Sequence, residues 1–178
     1  MSEDEGQPVE AEVSEERDRV ITALYAQHAS TIHLLALRLT GDRAAADEVV
    51  QDTFVRAWRS LDRFRGDSSH RTWLWAIACR VVHEARRTSL RLRRRVDRLE
   101  HRALVDYDRA VSDAAPGTRI DLERGIHALP AGARQVLLLH AVHGLGYQEI
   151  AMVLEISVGT VKSQIHRARH LLLIELDK

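Results

Sequence analysis

The stretch that decides the fold is GLGYQEIAMVLEISVGTVKSQIHRAR, residues 144–169. In its second half Val161, Ile165 and Ala168, followed by Leu172, fall at steps of four, three and four, which makes one buried stripe on a helix. The other face shows Lys162, Ser163, Gln164, His166, Arg167 and Arg169. A helix that only sits in water usually mixes acids with bases, because opposite charges four residues apart stabilise it. No acid lies between Ile156 and Ile174. The face therefore either meets a polyanion or is a solvated amphipathic surface.

The residues upstream favour the first reading. Tyr147 to Leu154 suits a short helix with Ile150, Ala151 and Leu154 turned inward, and Glu155-Ile156-Ser157 suits a turn that buries Ile156. Ser157 is a natural N-cap, and small Ala151 stands where two helices must cross closely. This spacing predicts a helix-turn-helix whose second helix enters the major groove with its N-terminal residues first. There Lys and Arg can bond guanine or phosphate, Gln can bond adenine, and Ser is permissive.

The rest of the chain reads as helix too. Its 178 residues are 45% hydrophobic but only 4% aromatic, with three prolines, a balance that favours long helices over strands. The first helical pattern begins near Glu16 and stops at Thr40-Gly41-Asp42, where Gly41 suits the C′ position and Asp42 the next N-cap. A second helix spans Arg43 to Ser60, and a polar loop, Arg63 to Ser69, leads to a third from His70 to Ser89. On that third helix Trp73 falls at core spacing and Trp75 is expected to be partly exposed. Between Arg86 and Arg102 eight arginines face two acids, and residues 103–118 end in Ala115-Pro116-Gly117. Beyond them short helices are expected up to Pro130, from Ala131 to Val142, from Tyr147 to Leu154 and from Ser157 onward. The resulting expectation is all-α: two small helical domains, an N-terminal bundle and a C-terminal four-helix helix-turn-helix domain, joined by a flexible linker. The boundaries are a disordered acidic tail over 1–17, a first domain over 18–90, a linker over 91–117 and a second domain over 118–178.

A net charge of zero hides a segregation. Seven of the 26 acids lie in the first sixteen residues, which leaves 19 acids against 26 bases in the remainder, a balance of +7. Such a body attracts polyanions, and the acidic tail could compete with them. Cys79 is alone, so no internal disulfide or paired-cysteine metal site is possible; on its helix it reads as a small buried residue. The acidic start is no signal peptide, and no unbroken apolar run approaches eighteen residues, so membrane insertion is not expected and a cytoplasmic location is. His127, His140 and His143 are too few for a convincing metal set. No Gly-rich phosphate loop, zinc signature or Ser-His-Asp arrangement points to an enzyme, and no cofactor is implied.

At residues 144–169 the chain resembles the C-terminal domain of extracytoplasmic-function (ECF, group IV) sigma factors, small specificity subunits of bacterial RNA polymerase in the sigma-70 family. Response-regulator DNA-binding domains carry a similar motif, and the N-terminal half separates the two. DEVVQDTFVRAW (Asp47 to Trp58) and RTWLWAIACRVVHEARR (Arg71 to Arg87) resemble the other domain of the same family. The resemblance, over roughly 20–88 and 119–173, implies promoter recognition and transcription initiation. It implies three partners: core RNA polymerase, promoter DNA and an anti-sigma factor. By position, Asp47, Glu48, Gln51, Asp52 and Phe54 would dock polymerase, with Phe54 read equally well as core. Arg65, Gly66, Asp67, Ser68, Ser69 and His70 would form a loop holding a flipped −10 base, with Arg71, Trp75, Arg80, Arg86 and Arg87 beside it. Ser157, Thr160, Lys162, Ser163, Gln164, His166 and Arg167 would read the −35 element. The arginine run at 91–95 is either a solvated linker or a contact in the polymerase channel. Three residues depart from the family pattern: Glu155 replaces a turn glycine, Gln164 an arginine and Arg80 an asparagine. The alternatives are a promoter-binding regulator that needs no polymerase, and an adaptor or anti-sigma antagonist built on a sigma-like shell.

Overall fold

The computed structural model describes residues 7–99 and 119–176, with side-chain surroundings defined over 14–88 and 122–174. Every regular element among them is helical. Helix α1 (Gln7–Thr40) starts ahead of the expected Glu16, within the stretch expected to be disordered. Glu and Ala are good helix formers, and Arg19 reaches back to Glu15 and Glu16, each at 3.5 Å. Residues 1–6 lie outside the described residues.

The α1–α2 corner forms as its residues dictate. Gly41 takes φ 73° and donates its N–H to the Leu37 carbonyl at 2.7 Å. Extended Asp42 then accepts the Ala45 N–H at 2.7 Å and caps α2 (Arg43–Ser60). The two helices run antiparallel, matching Trp58 to Asp18, Phe54 to Tyr25 and Asp47 to His33 along their length. A single 3₁₀ turn, Leu61–Arg63, leads to the loop. Helix α3 (His70–Leu99) opens on a serine cap, the Ser69 hydroxyl accepting the Thr72 N–H at 3.1 Å. It continues past the expected end at Ser89 because Arg and Leu hold a helix well and no Gly or Pro interrupts them. The arginine run at 91–95 therefore lies on a helix, while 100–118, the rest of the expected linker, lies outside the described residues.

In the second half α4 (Arg119–Ala128) ends before Pro130, and α5 (Ala131–Leu137) widens into a π-helical turn at Leu138–Val142. The His143 N–H reaches back five residues to the Leu138 carbonyl at 3.1 Å. The simple helix expected to Val142 gives way here to a turn that keeps both Leu138 and Leu139 fully buried. Helices α6 (Tyr147–Leu154) and α7 (Val158–Leu176) complete the helix-turn-helix.

The two halves are not held apart. One apolar cluster runs from Leu24, Ile32 and Leu35 of α1 through Leu74, Trp75 and Ala78 of α3 to Leu139, Leu145, Ile150 and Val153 of the second half. Helix α6 lies on α3, and α4 and α5 meet the end of α1. Arg38 grips Glu123 there through Nε at 3.2 Å and Nη2 at 2.7 Å. Over Ser14–Thr40, α1 is long and apolar enough to cross a membrane by length and composition; it also supplies Leu24, Ile32, Leu35, Ala36 and Leu39 to this core.

Candidate nucleic-acid interface

Helix α7 carries the face singled out in the sequence. Val161, Ile165 and Ala168 are buried, and the helix rests on α5 through Ala133, so two alanines with no exposed surface let the backbones approach closely. Ser157 caps its start, the hydroxyl accepting the Thr160 N–H at 3.0 Å and lying 2.9 Å from the Thr160 hydroxyl. Lys162, Ser163, His166 and Arg167 are exposed. Gln164 is different. Its amide lies beside Gly132, where an added Cβ would come within 3.7 Å of it, so it occupies the flank of α7 against α5 rather than the outward face. Arg169 and His170 are exposed as well. His170 follows Ser163 and His166 at helical spacing on that face.

On α2, Asp47, Glu48, Gln51 and Asp52 are all exposed. Asp47 meets the His33 imidazole at 3.0 Å and Asp52 approaches Arg56 at 4.0 Å. Phe54 is buried, its ring edge-on to Tyr25 with centroids 4.8 Å apart. Of its two readings the structure supports core. Tyr25, Val55 and Trp58 stay exposed beside it, round a shallow apolar groove that also includes Ile21 and Gln51. Apolar residues on the solvent side of a helix were its only trace.

The loop between α2 and α3 is built on an aromatic cluster the sequence reading did not use. The Phe64 ring lies 4.6 Å from His70 and 5.0 Å from Trp73. Gly66 turns with φ 76°, and Arg65 and Asp67 project into solvent. Ser69 is committed to capping α3, whereas Ser68 makes only a 3.4 Å contact to the Ser69 carbonyl.

Along α3 the expectation for Trp75 fails: only 3% of it is exposed. The loop after the π-turn covers it, with the His143 ring centroid 4.3 Å from the indole. Arg71 fixes that loop by donating to the His143 carbonyl at 2.8 Å, and the Thr72 hydroxyl reaches Glu149 at 3.4 Å. Burial, with Arg38 and Arg71 nearby, pushes the His143 imidazole down to about 4. Arg80 forms an ion pair with Glu155 of the helix-turn-helix turn. Arg86 and Arg87 are exposed along a second groove, which Arg80, Gln135 and Glu155 also line. Among the described residues no group of three or more His, Cys, Asp or Glu side chains converges on a metal-sized site. His140 instead contacts the Leu145 carbonyl at 2.9 Å.

A cap, a left-handed turn at Glu155 and an α7 with no acid before Glu175 thus sit in one polypeptide with an α2 that exposes Asp47, Glu48 and Asp52 and a basic α3. The same two blocks emerge from comparison with known proteins. Residues 24–98 match the sigma-70 region 2 family, and residues 119–172 match sigma-70 region 4. The chain is 31% identical over 180 residues to the RNA polymerase sigma-H factor of Pseudomonas aeruginosa, covering 95% of this chain and 92% of that one. The chain belongs to the ECF sigma factors. It is also 32% identical over 155 residues to the ECF RNA polymerase sigma factor SigE of Mycolicibacterium smegmatis, covering 82% of this chain and spanning only 57% of that protein's length. The solved structure of the sigma factor RpoE in complex with the anti-sigma factor NepR, from Bartonella quintana, shares the fold: TM-score 0.69 and 24% identity, over 88% of this chain and 96% of that one. CnrH, solved with the cytosolic domain of CnrY, aligns with TM-score 0.66 and 28% identity over 94% of both chains.

Proposed function

We propose that this ECF sigma factor works as the promoter-specificity subunit of a bacterial RNA polymerase, with its duties divided along the chain. The exposed polar residues of α2 (Asp47, Glu48, Gln51 and Asp52) and the Tyr25–Val55–Trp58 patch dock the polymerase. The loop with Arg65, Asp67, Ser68 and His70, and the α3 face with Arg71, Arg80, Arg86 and Arg87, engage the −10 element. Helix α7 reads the −35 element through Thr160, Lys162, Ser163, His166 and Arg167. The observation that carries this reading is the outward face of α7, free of acids between Ile156 and Ile174 and mounted on a fully buried stripe. Such a face suits phosphate and base edges and offers nothing to a small-molecule reaction. Catalysis belongs to the polymerase, and the sigma factor supplies binding and strand capture from the cytoplasm.

An anti-sigma partner is part of the proposal. Its support is that RpoE, which shares this fold, was solved with such a partner, NepR. The test of the whole reading is run-off transcription with purified core polymerase and a promoter library. Specific starts that disappear in the Asp47→Ala/Asp52→Ala double variant are expected. Failure to start transcription, with specific duplex binding intact, would instead favour a regulator that acts without polymerase.

A further inference from the structure

Two of the three residues that depart from the family pattern, Arg80 and Glu155, are each other's partners. They lie 75 positions apart, one on α3 and the other in the turn of the helix-turn-helix. Glu155 is the only non-glycine residue with positive φ among those described, at φ 55° and ψ 42°. A glycine takes that conformation without strain, whereas any side chain pays for it. The carboxylate also makes a contact that a glycine cannot. What it does in this structure is reach a groove whose α3 wall carries Arg80, His83, Arg86 and Arg87 against the single acid Glu84.

We propose that the Arg80–Glu155 pair is a latch that favours a closed form of the free chain, in which the −10 face of α3 and the helix-turn-helix mask one another. The closing half of this inference stands on geometry alone, and the masking half rests on the proposed promoter function. Closure occupies the candidate −10 residues directly: Trp75 lies beneath His143, Arg71 holds the His143 carbonyl, and Arg80 holds Glu155. The apolar seam supplies most of the contact. The exposed pair tips the balance between closed and open, which is the modest scale such pairs command. Polymerase and promoter would draw the two halves apart and free both faces together.

The chain carries its own reporter. Cys79 is its single cysteine, buried on α3 at the seam, where Gln135 of α5 lines the same groove. Burial pushes its thiol up to about 12, so a disulfide reagent labels it only when the seam opens. Labelling of the full chain should be at least about a hundredfold slower than in denaturant. Glu155→Gly should speed it about two- to fivefold, the range an exposed pair commands, without lowering the melting midpoint, because glycine suits the left-handed turn. A variant that merely loosened the fold would melt earlier. Glu155→Arg should speed labelling further, and the Arg80→Glu/Glu155→Arg exchange should slow it again. Labelling that is unchanged in Glu155→Gly, or no slower in the exchange than in Glu155→Arg, would overturn the latch. A single-stranded −10 oligonucleotide should bind Glu155→Gly more tightly by a similar factor. Faster labelling with equal affinity would overturn the masking, and no oligonucleotide binding by either chain would overturn the promoter reading while leaving the latch in place.

Discussion

Replacing Ala168 by leucine tests both how the recognition helix is mounted and how far cooperativity extends. Ala168 and Ala133 have no exposed surface and belong to one small cluster with Leu129 and Leu137 where α7 meets α5. Leucine adds three carbons where no space is left, and forcing extra methylenes into such a site costs about 1–3 kcal/mol. The melting shift depends on what unfolds together. At about 4–8 °C per kcal/mol for a unit of 60–100 residues and about 2–4 °C for one of 150 or more, a 2 kcal/mol loss means roughly 8–16 °C if residues 119–176 melt alone. It means roughly 4–8 °C if the shared core makes the chain melt as one, and that smaller shift is expected. Differential scanning calorimetry reads it, with a single transition for the wild type. In parallel, Ala168→Leu should weaken binding to a −35 duplex, because α7 can accommodate the leucine only by tilting away from α5. A midpoint unchanged to within a degree would refute the close crossing. Two separate transitions would refute the shared core.

Asp42→Ala should cost about 1 kcal/mol through loss of the bond to the Ala45 N–H, while Asp42→Ser should recover most of it in denaturant melts. His143 gives a pH dependence with a definite sign. Above its ordinary value of 6.5 the ring is neutral whether folded or unfolded, but between 6.5 and about 4 the unfolded chain takes up a proton that the closed form refuses. Stability should therefore fall as pH drops through that window, and His143→Gln should flatten the fall in a pH series of melts. His28, also pushed below its ordinary value chiefly by burial, contributes with the same sign. Lys162→Ala and Arg167→Ala should each reduce the slope of log affinity against log salt by about 0.9 for every phosphate contact removed. Gln164→Ala should change stability rather than base preference, because its amide rests beside Gly132; a new preferred base in a duplex library would contradict that placement.

Much of the architecture was legible because local rules decided it. Gly41 and Asp42 form the first corner, Ser157 caps α7, and Val161, Ile165 and Ala168 face inward, all as the spacing requires. The sequence could not show that α3 runs on to Leu99, because an arginine-rich stretch suits a helix and a solvated linker equally well. Nor could it show the burial of Trp75, since the covering His143 loop is 68 residues away and no periodicity within α3 records it. Phe54, Ser69 and Gln164 each lie next to outward positions of their motifs, and a motif says which residues are present but not which neighbour each one faces.

The continuity of α3 also bears on promoter geometry. Its 30 residues make a rod of about 45 Å at 1.5 Å per residue. Only the residues between Leu99 and Arg119 remain to connect the two reading units once they part. Twenty peptide steps span at most roughly 70 Å, about the rise of twenty base pairs of duplex. On the proposed promoter reading, once the −10 element is held, the chain between Leu99 and Arg119 limits how far the second half can search. The −35 contact is then an intramolecular event at an effective concentration that the tether sets. A promoter spacer that lengthens beyond the reach of the chain should lose the second contact abruptly rather than by degrees.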